Sequence, residues 1–345
     1  MSGAGLGADH GEMRTDRVVV EAPARLHFGM LDLGGSLGRR YGGIGAAIEP
    51  PSVLLSAAPT ATGSAGRLLV IPDPATHEGL SDPHALEAAA CAASAVLGHY
   101  GISEGVAITV HRTLPAHRGL GSGTQVALAA ARAVAEIFEL ATNSVQLAEI
   151  VGRGRRSAIG THVFQHGGLV VEGGRREGYD HPAPLLARVA MPELWRCVLV
   201  VPPAQAGVSG AAEAAAFAGL RAPPVAEAER VAHLVLMALL PAAIEGDFAT
   251  FGEALSEIQQ VNGRWFAPAQ GGPFAQGPSA AIISRLASWG ATGVGQSSWG
   301  PAVYAVMPDP DATAALAGRI RAAFPEATVL EARFANVGAT VRSGL

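Results

Sequence analysis

The chain has no lysine: all 24 of its basic residues are arginines. Its Ala, Gly, Pro and Arg usage fits codon bias in a GC-rich genome. Whatever the origin, a cationic contact to an anion must come from Arg, His or backbone N–H, and Arg suits bidentate recognition of phosphate or carboxylate. Charge is sparse, at 15% of residues with a formal net charge of −5, which removes the basic field of a nucleic-acid binder. Cysteine is scarce too. Cys91 and Cys197 sit in apolar sequence ("EAAACAASAV", "LWRCVLVV"), so buried free thiols are expected, and no zinc-type spacing occurs. No apolar run of about 18 residues is free of charge or proline, so no transmembrane helix is expected. No pattern of basic residues plus an apolar core opens the chain, and a cytoplasmic protein is expected. What is present is 345 residues, 49% of them apolar, enough for two domains and a sizeable core.

Residues 1–15 are Gly-rich and polar and read as a disordered tail. "RVVVEAPARLHFGMLDL" reads as strand, turn, strand. A glycine-rich hairpin region follows, then strands at "SVLLSA" and "RLLVIP". Asp82, Pro83 and Gly101 bracket a helix as N-cap, first-turn proline and C-terminal glycine. "GVAITVHRTLP" is a strand, with helices at roughly 122–140 and 144–153, and "GGLVVEGG" is a short buried strand. From Trp195 the order is strand, helices near 209–219, 225–241 and 247–260, a Gly- and Pro-rich loop over 262–278, then helix, strand, helix and two strands. This mixture predicts an α+β fold with domains at 16–190 and 191–345.

"LPAHRGLGSGTQVALAA" places glycines directly before a long Ala-rich helix. A helix N-terminus offers unpaired N–H groups and positive dipole, and glycine lets an anion approach them. Gly119, Leu120, Gly121, Ser122, Gly123 and Thr124 are therefore expected to cradle a phosphate, with Ser122 and Thr124 adding hydroxyl donors or a metal ligand. An ordinary helix capped by Ser122 is the alternative. Arg25 and His27 lie two apart on a strand and share a face; His27 also reads as a core histidine. Arg39 and Arg40 occupy a glycine-rich turn and are anion ligands or simply solvated. Asp32 is a metal ligand or a turn cap. In "GRGRRSAIGTHVFQHGG", Arg156 is the favoured anion ligand among Arg153, Arg155 and Arg156. His162 and His166 are four apart, but flanking glycines argue against a metal-binding helix there.

Three segments in order, "APARLHFGMLDL", "LPAHRGLGSGTQVALAA" and "GATGVGQSSWGPAVYAV", resemble the GHMP kinase superfamily over roughly residues 18–310. The resemblance implies a two-domain α+β fold with a ferredoxin-like C-terminal half. "ARLHFGMLDLGGSLGRRYGGIGAAIEPP" and "GRGRRSAIGTHVFQHGGLVVEGG" look most like one branch, the β-ribofuranosylaminobenzene 5′-phosphate synthases of tetrahydromethanopterin biosynthesis. That branch implies condensation of p-aminobenzoate with phosphoribosyl pyrophosphate (PRPP), releasing CO₂ and pyrophosphate, with Mg²⁺ as cofactor, no nucleic acid or membrane partner, and a homodimer as one conceivable assembly. It places Arg25 and His27 among the catalytic residues. The residues available match the needs of such a reaction: Arg39, Arg40 and Arg156 for phosphate, Trp265 and Phe266 to stack on the aromatic ring, Gln270 to hydrogen-bond it, and Gly295 and Ser297 in a turn that closes the site. The chain departs from the superfamily's kinases. "SAIGTHVF" has no carboxylate where they often carry an Asp base, no lysine assists one, and Gly123 replaces a frequent second serine. An ATP-dependent small-molecule kinase and a catalytically silent phosphate-binding protein are the competing readings.

Overall fold

Val18, Val20, Ala22, Ala24, Leu26 and Phe28 are all fully buried. This alternation is the signature of a strand with one face on a core. It makes β1 (Val18–Asp32) one continuous strand rather than strand, turn, strand. Pro23 is absorbed by a register shift against the neighbouring strand, between Pro23 and Ala24. The opposite face of β1 carries Arg25, His27 and Gly29.

The computed structural model describes residues 17–60, 68–75, 82–179, 181–203, 207 and 210–344. The tail expected over 1–15 lies outside them. After β1 come β2 (Arg39–Pro59), β3 (Leu68–Pro72), α1 (Pro83–Tyr100), β4 (Val106–Arg112), α2 (Ser122–Ile137), α3 (Ser144–Ile150) and α4 (Ile159–His166). Then follow β5 (Leu169–Glu172), β6 (Arg175–Arg176), β7 (Leu185–Val189), β8 (Arg196–Val201), α5 (Gly210–Gly219) and α6 (Val225–Leu234). A π-helical stretch, Val235–Leu239, joins α6 to α7 (Leu240–Glu245). The chain ends with α8 (Phe248–Gln270), α9 (Pro278–Ser288), β9 (Val294–Gln296), β10 (Val303–Met307), α10 (Pro310–Ala323), β11 (Thr328–Phe334) and β12 (Thr340–Ser343).

The strands form one sheet whose main path runs β12-β1-β2-β11-β8-β10-β9. The two halves of the sequence are stitched through it. β11 pairs with β2 at Phe334 opposite Ile48, and β12 pairs with β1. Against β1 and β2 packs α2, an Ala-rich helix buried on nearly all sides because small side chains let neighbours approach. A second core joins β8, β9, β10 and β11 to α9 and α10 through Val198, Val303, Ile282, Leu286 and Ile320. The fold class is α+β, as the sequence implied. Among the described residues no helix is long and apolar enough to cross a membrane.

Two further expectations are corrected. The segment 262–278 is not one loop, because α8 continues to Gln270. Asn262, Gly263 and Pro268 are poor helix formers, but tertiary contacts override them. The Asn262 side chain accepts from Met30 N at 2.6 Å and donates to Met30 O at 3.1 Å. Gly263 packs so closely on Pro273 that an added Cβ would lie 2.6 Å from its carbonyl oxygen. Cys197 is buried, but Cys91 of α1 is exposed: its alanine neighbours signal helix, not burial.

Candidate functional site

The glycine turn Gly119–Thr124 joins the sites of all three sequence motifs. Gly121, at φ +77°, is the cap residue of α2, and no side chain caps that helix. The N–H groups of Ser122 and Gly123 are thus open to an anion, while Thr124 N donates to Gly121 O at 3.0 Å. Arg25 runs beneath the loop: its Nη1 donates to Gly119 O at 2.8 Å and its backbone N to Leu120 O at 3.1 Å. The Ser297 hydroxyl donates to Gly119 O at 2.6 Å and accepts from His27 N at 3.0 Å. A Cβ on Gly119 would collide with the Ser297 carbonyl, so only glycine permits this junction.

The resulting pocket is lined by Arg25, Arg153, Arg156, Glu213, the 121–124 turn and His117. Burial lowers the Arg25 pKa to about 10, against the opposing pull of Glu213, so the guanidinium stays charged at neutral pH. Burial also lowers that of Arg153. Arg156 pairs with Glu213 at 2.6 Å. Glu213, Ser122 and Thr124 are oxygen donors of the type Mg²⁺ takes when substrate phosphates complete its shell. Among the described residues no group of three His, Cys, Asp or Glu side chains could hold a metal unaided.

Beside this pocket lies a largely apolar cavity lined by Phe217, Phe266, Phe274 and Trp299. Three rings meet at it edge to face. Phe217 and Phe266 are 5.8 Å apart, Phe217 and Trp299 5.3 Å, and Phe266 and Trp299 5.0 Å. Its amide side chains are already engaged. Gln259 donates to Phe28 O and accepts from Gln296 N; Gln296 accepts from Ala275 N and donates to Gln270 Oε1 and Ser298 O. Ser298 and Trp299 line both spaces. Ser298 holds φ +55°, a left-handed conformation that costs free energy in a non-glycine residue and recurs at functional sites.

His27 also lines the aromatic cavity and is 5% exposed. Its pKa is pushed down to about 3, first by burial and then by the charge of Arg25, so the ring is neutral. Its Nε2 lies 3.2 Å from the Ser157 hydroxyl. Glu172, close by on β5, is a fully buried carboxyl that burial pushes up to about 7, against hydrogen bonds from Gly174 N and Ala158 N.

Family models for the GHMP kinases N terminal domain and the GHMP kinases C terminal match residues 87–168 and 239–326. The chain is 35% identical over 300 residues to beta-ribofuranosylphenol 5′-phosphate synthase of Methanothermobacter thermautotrophicus, covering 84% of this chain and 88% of that one. The synthase of the same name from Archaeoglobus fulgidus is 35% identical over 298 residues, covering 83% and 87%. The chain belongs to this synthase family. Its fold is shared with homoserine kinase from Cytophaga hutchinsonii (TM-score 0.66, 17% identity, covering 96% of this chain and 99% of that one). It is shared also with mevalonate pyrophosphate decarboxylase from Streptococcus pyogenes (TM-score 0.65, 12% identity, covering 95% and 99%). At such identities the likeness concerns the fold alone.

Within this synthase fold the predicted residues divide. Arg25, Gly119, Gly121, Ser122, Gly123, Thr124 and Arg156 line the basic pocket; His27, Phe266 and Gln270 line the aromatic cavity. Leu120 is buried and contributes backbone. Ser297 is wholly buried, and acts as the brace described above. Gly295 lies in β9 under Gln259 and Tyr304, lining neither space. Arg40 lies in an adjoining groove with Tyr41, Arg156 and Phe217. Arg39 is placed elsewhere: it is exposed, and donates to the carbonyls of Gly173 at 2.9 Å and Gly174 at 3.3 Å. Trp265 also turns away, its Nε1 donating to Glu227 at 2.6 Å. Asp32 is a turn cap, accepting from Gly34 N, Gly35 N and Ser36 N. The glycines around His162 and His166 do not prevent a helix, since both lie on α4, but His162 Nε2 is bound to Ala183 O. Sequence reading missed Phe217, Trp299 and Glu213 and ranked Arg153 below Arg156. The lone Phe and lone Glu four residues apart in "GAAEAAAFAG", and the Trp directly after the Gly/Ser turn, were the available signals.

Proposed function

We propose that this synthase joins PRPP to a benzoate bearing an electron-donating para substituent, releasing CO₂ and pyrophosphate and leaving a ribofuranosyl arene 5′-phosphate. One observation carries the reading: a basic pocket at a helix N-terminus and a ring-lined cavity share the Ser298–Trp299 edge. A phosphorylated sugar on one side and an aromatic acid on the other would meet there. The relatives' names carry a phenol where the sequence resemblance suggests an aminobenzene, and both 4-hydroxybenzoate and 4-aminobenzoate supply the donor.

The reacting ring carbon is the one bearing the carboxylate, made electron-rich by the para group. It bonds to the anomeric carbon as the C–O bond to pyrophosphate breaks with its electron pair; the carboxylate then leaves as CO₂ and the ring electrons are restored. Arg25, Arg153 and the N–H groups of α2 meet the charge that builds on the leaving phosphates, which is where fixed donors lower a barrier most. Phe217, Phe266 and Trp299 orient the ring and exclude water. Mg²⁺, when bound by Glu213, Ser122 and Thr124 with the phosphates, would neutralise pyrophosphate charge. The basis for setting phosphoryl transfer aside is the lack of a carboxylate on α4 and of any lysine.

The test is purified protein with PRPP, Mg²⁺ and carboxyl-labelled 4-hydroxybenzoate or 4-aminobenzoate, in a cytoplasm-like buffer. Labelled CO₂ and pyrophosphate are expected in equal amounts, with no turnover when ATP replaces PRPP. An ATP-dependent phosphorylated product without CO₂ would favour a kinase, and ligand binding without turnover a silent binding protein.

A further inference from the structure

The ribosyl donor has two anionic ends, the pyrophosphate that leaves and the 5′-phosphate that stays. The basic pocket takes the first. On the reading above, we propose that the groove lined by Arg40 and Arg156 is a separate subsite for the 5′-phosphate. The two ends of the donor are then held in different spaces, on either side of the sugar.

One wall is built by "LDLGGSLGRR". Asp32 Oδ1 accepts from Gly34 N and Gly35 N, both at 2.8 Å, and Oδ2 from Ser36 N at 2.9 Å, which folds a turn ahead of β2. Gly35 holds φ +78°, and a Cβ there would lie 2.5 Å from Arg40 Cγ. The Arg40 stem thus rests against this glycine, in space that any other residue would fill. Adjacent residues on a strand face opposite ways, and the two arginines have opposite fates. Arg39 is spent on the Gly173 and Gly174 carbonyls. Arg40 lines the groove, and among the described residues its guanidinium has no hydrogen-bond or ion-pair partner. The other wall is α5. Its Phe217 meets Tyr41 edge to face at 5.6 Å, and the Arg156 guanidinium lies 5.4 Å from the Phe217 ring centre. Glu213 holds Arg156 through Nη2 alone, so the rest of that fork keeps its donors.

The chemistry of the two spaces decides which end goes where. The basic pocket has backbone N–H groups of α2 and the oxygens of Glu213, Ser122 and Thr124. Those suit a pyrophosphate that gathers charge as it departs and shares a cation. The groove has two arginines and, among the described residues, no carboxylate in its lining. That suits a phosphate monoester, whose charge does not change during the reaction and whose task is to fix the sugar. The spaces are also contiguous. Arg156 lines both the groove and the basic pocket, and Phe217 lines both the groove and the aromatic cavity. A sugar spanning the two anion sites therefore passes beside the acceptor ring. Arg40 touches no reacting atom in this arrangement; it is a binding residue that positions the donor.

The experiment uses fragments of the donor as probes. Ribose 5-phosphate and inorganic pyrophosphate are titrated separately into wild type, Arg40→Ala and Arg25→Ala, after circular dichroism establishes folding. Arg40→Ala should weaken ribose 5-phosphate about tenfold, an exposed charge-assisted contact being worth less than a buried one, and leave pyrophosphate within about twofold. Arg25→Ala should do the reverse. In steady-state kinetics Arg40→Ala should raise the KM for PRPP with kcat nearly unchanged, as expected for a contact made equally in ground and transition states. Ribose 5-phosphate should compete with PRPP in wild type, with its inhibition constant raised about tenfold in Arg40→Ala. A folded Arg40→Ala that keeps wild-type affinity for ribose 5-phosphate, or weakens both probes equally, overturns the subsite, as does a wild type that neither binds ribose 5-phosphate nor is inhibited by it. A wild type that releases no CO₂ from PRPP with either acceptor overturns the proposed function itself, a different result from an active wild type whose Arg40→Ala variant binds both probes normally.

Discussion

The basic pocket and the aromatic cavity lie side by side, yet they are built in opposite ways. The first comes largely from one local stretch, residues 117–124, with arginines brought beneath and beside it. The second comes from residues far apart in sequence: His27, Phe217, Phe266 and Trp299. The first works by charge and backbone dipole, the second by shape and ring edges. A charge site can be encoded by a short turn because backbone N–H groups supply its donors. A ring site needs side chains delivered from several elements, and no short stretch can specify it.

The largest separation between the two is expected at Arg25. Arg25→Ala removes a half-buried charge-assisted donor, worth roughly 1.5–3 kcal/mol. It should lower kcat/KM for PRPP by about ten- to a hundredfold, with little change in acceptor KM. Arg25→Lys should recover part, since an ammonium cannot reproduce the planar fork, and exposed Arg319→Ala should match wild type. Steady-state kinetics with each substrate varied checks all three. Trp299→Ala comes next. Loss of two edge-to-face contacts should raise acceptor KM about tenfold, and PRPP KM should rise too because this residue lines both spaces. Phe266→Ala should raise acceptor KM alone.

Gly121→Ala should weaken PRPP by several-fold in calorimetric titration. A Cβ there would lie 2.8 Å from Arg25 Cγ, and the residue holds φ +77°, where an L side chain costs roughly 1–2 kcal/mol. Smaller still is the effect of salt. Raising ionic strength should weaken PRPP modestly at a pocket open to solvent and leave the ring's contribution to acceptor binding unchanged. Arg39→Ala should change neither KM, because its guanidinium is spent on the Gly173 and Gly174 carbonyls; a clear rise in PRPP KM would return it to the site.

The same contrast explains what could be read from sequence. The glycine turn before α2 and the α1 boundaries at Asp82 and Gly101 are local chemistry, and they stand where the sequence placed them. Arg25 and His27 followed from period-two spacing on one strand. Trp265 and Phe266 looked equivalent because their segment read as a loop. On a helix, adjacent residues point about 100° apart, so Phe266 reaches the cavity while Trp265 binds Glu227. The helix itself was hidden by Asn262, Gly263 and Pro268, whose helical state depends on partners at Met30 and Pro273. Glu172 gave a legible signal that went unused: a carboxylate inside a fully buried strand needs a reason to be there.

Paired calorimetric titrations of folded Arg25→Ala and Phe266→Ala test most directly the claim that two cavities divide the substrates between them. PRPP and 4-hydroxybenzoate are titrated separately into each variant and into wild type. Arg25→Ala should weaken PRPP at least tenfold and leave 4-hydroxybenzoate within about twofold, and Phe266→Ala should do the reverse. Equal weakening of both ligands by either variant, or loss of PRPP affinity on removing the Phe266 ring, would contradict the division.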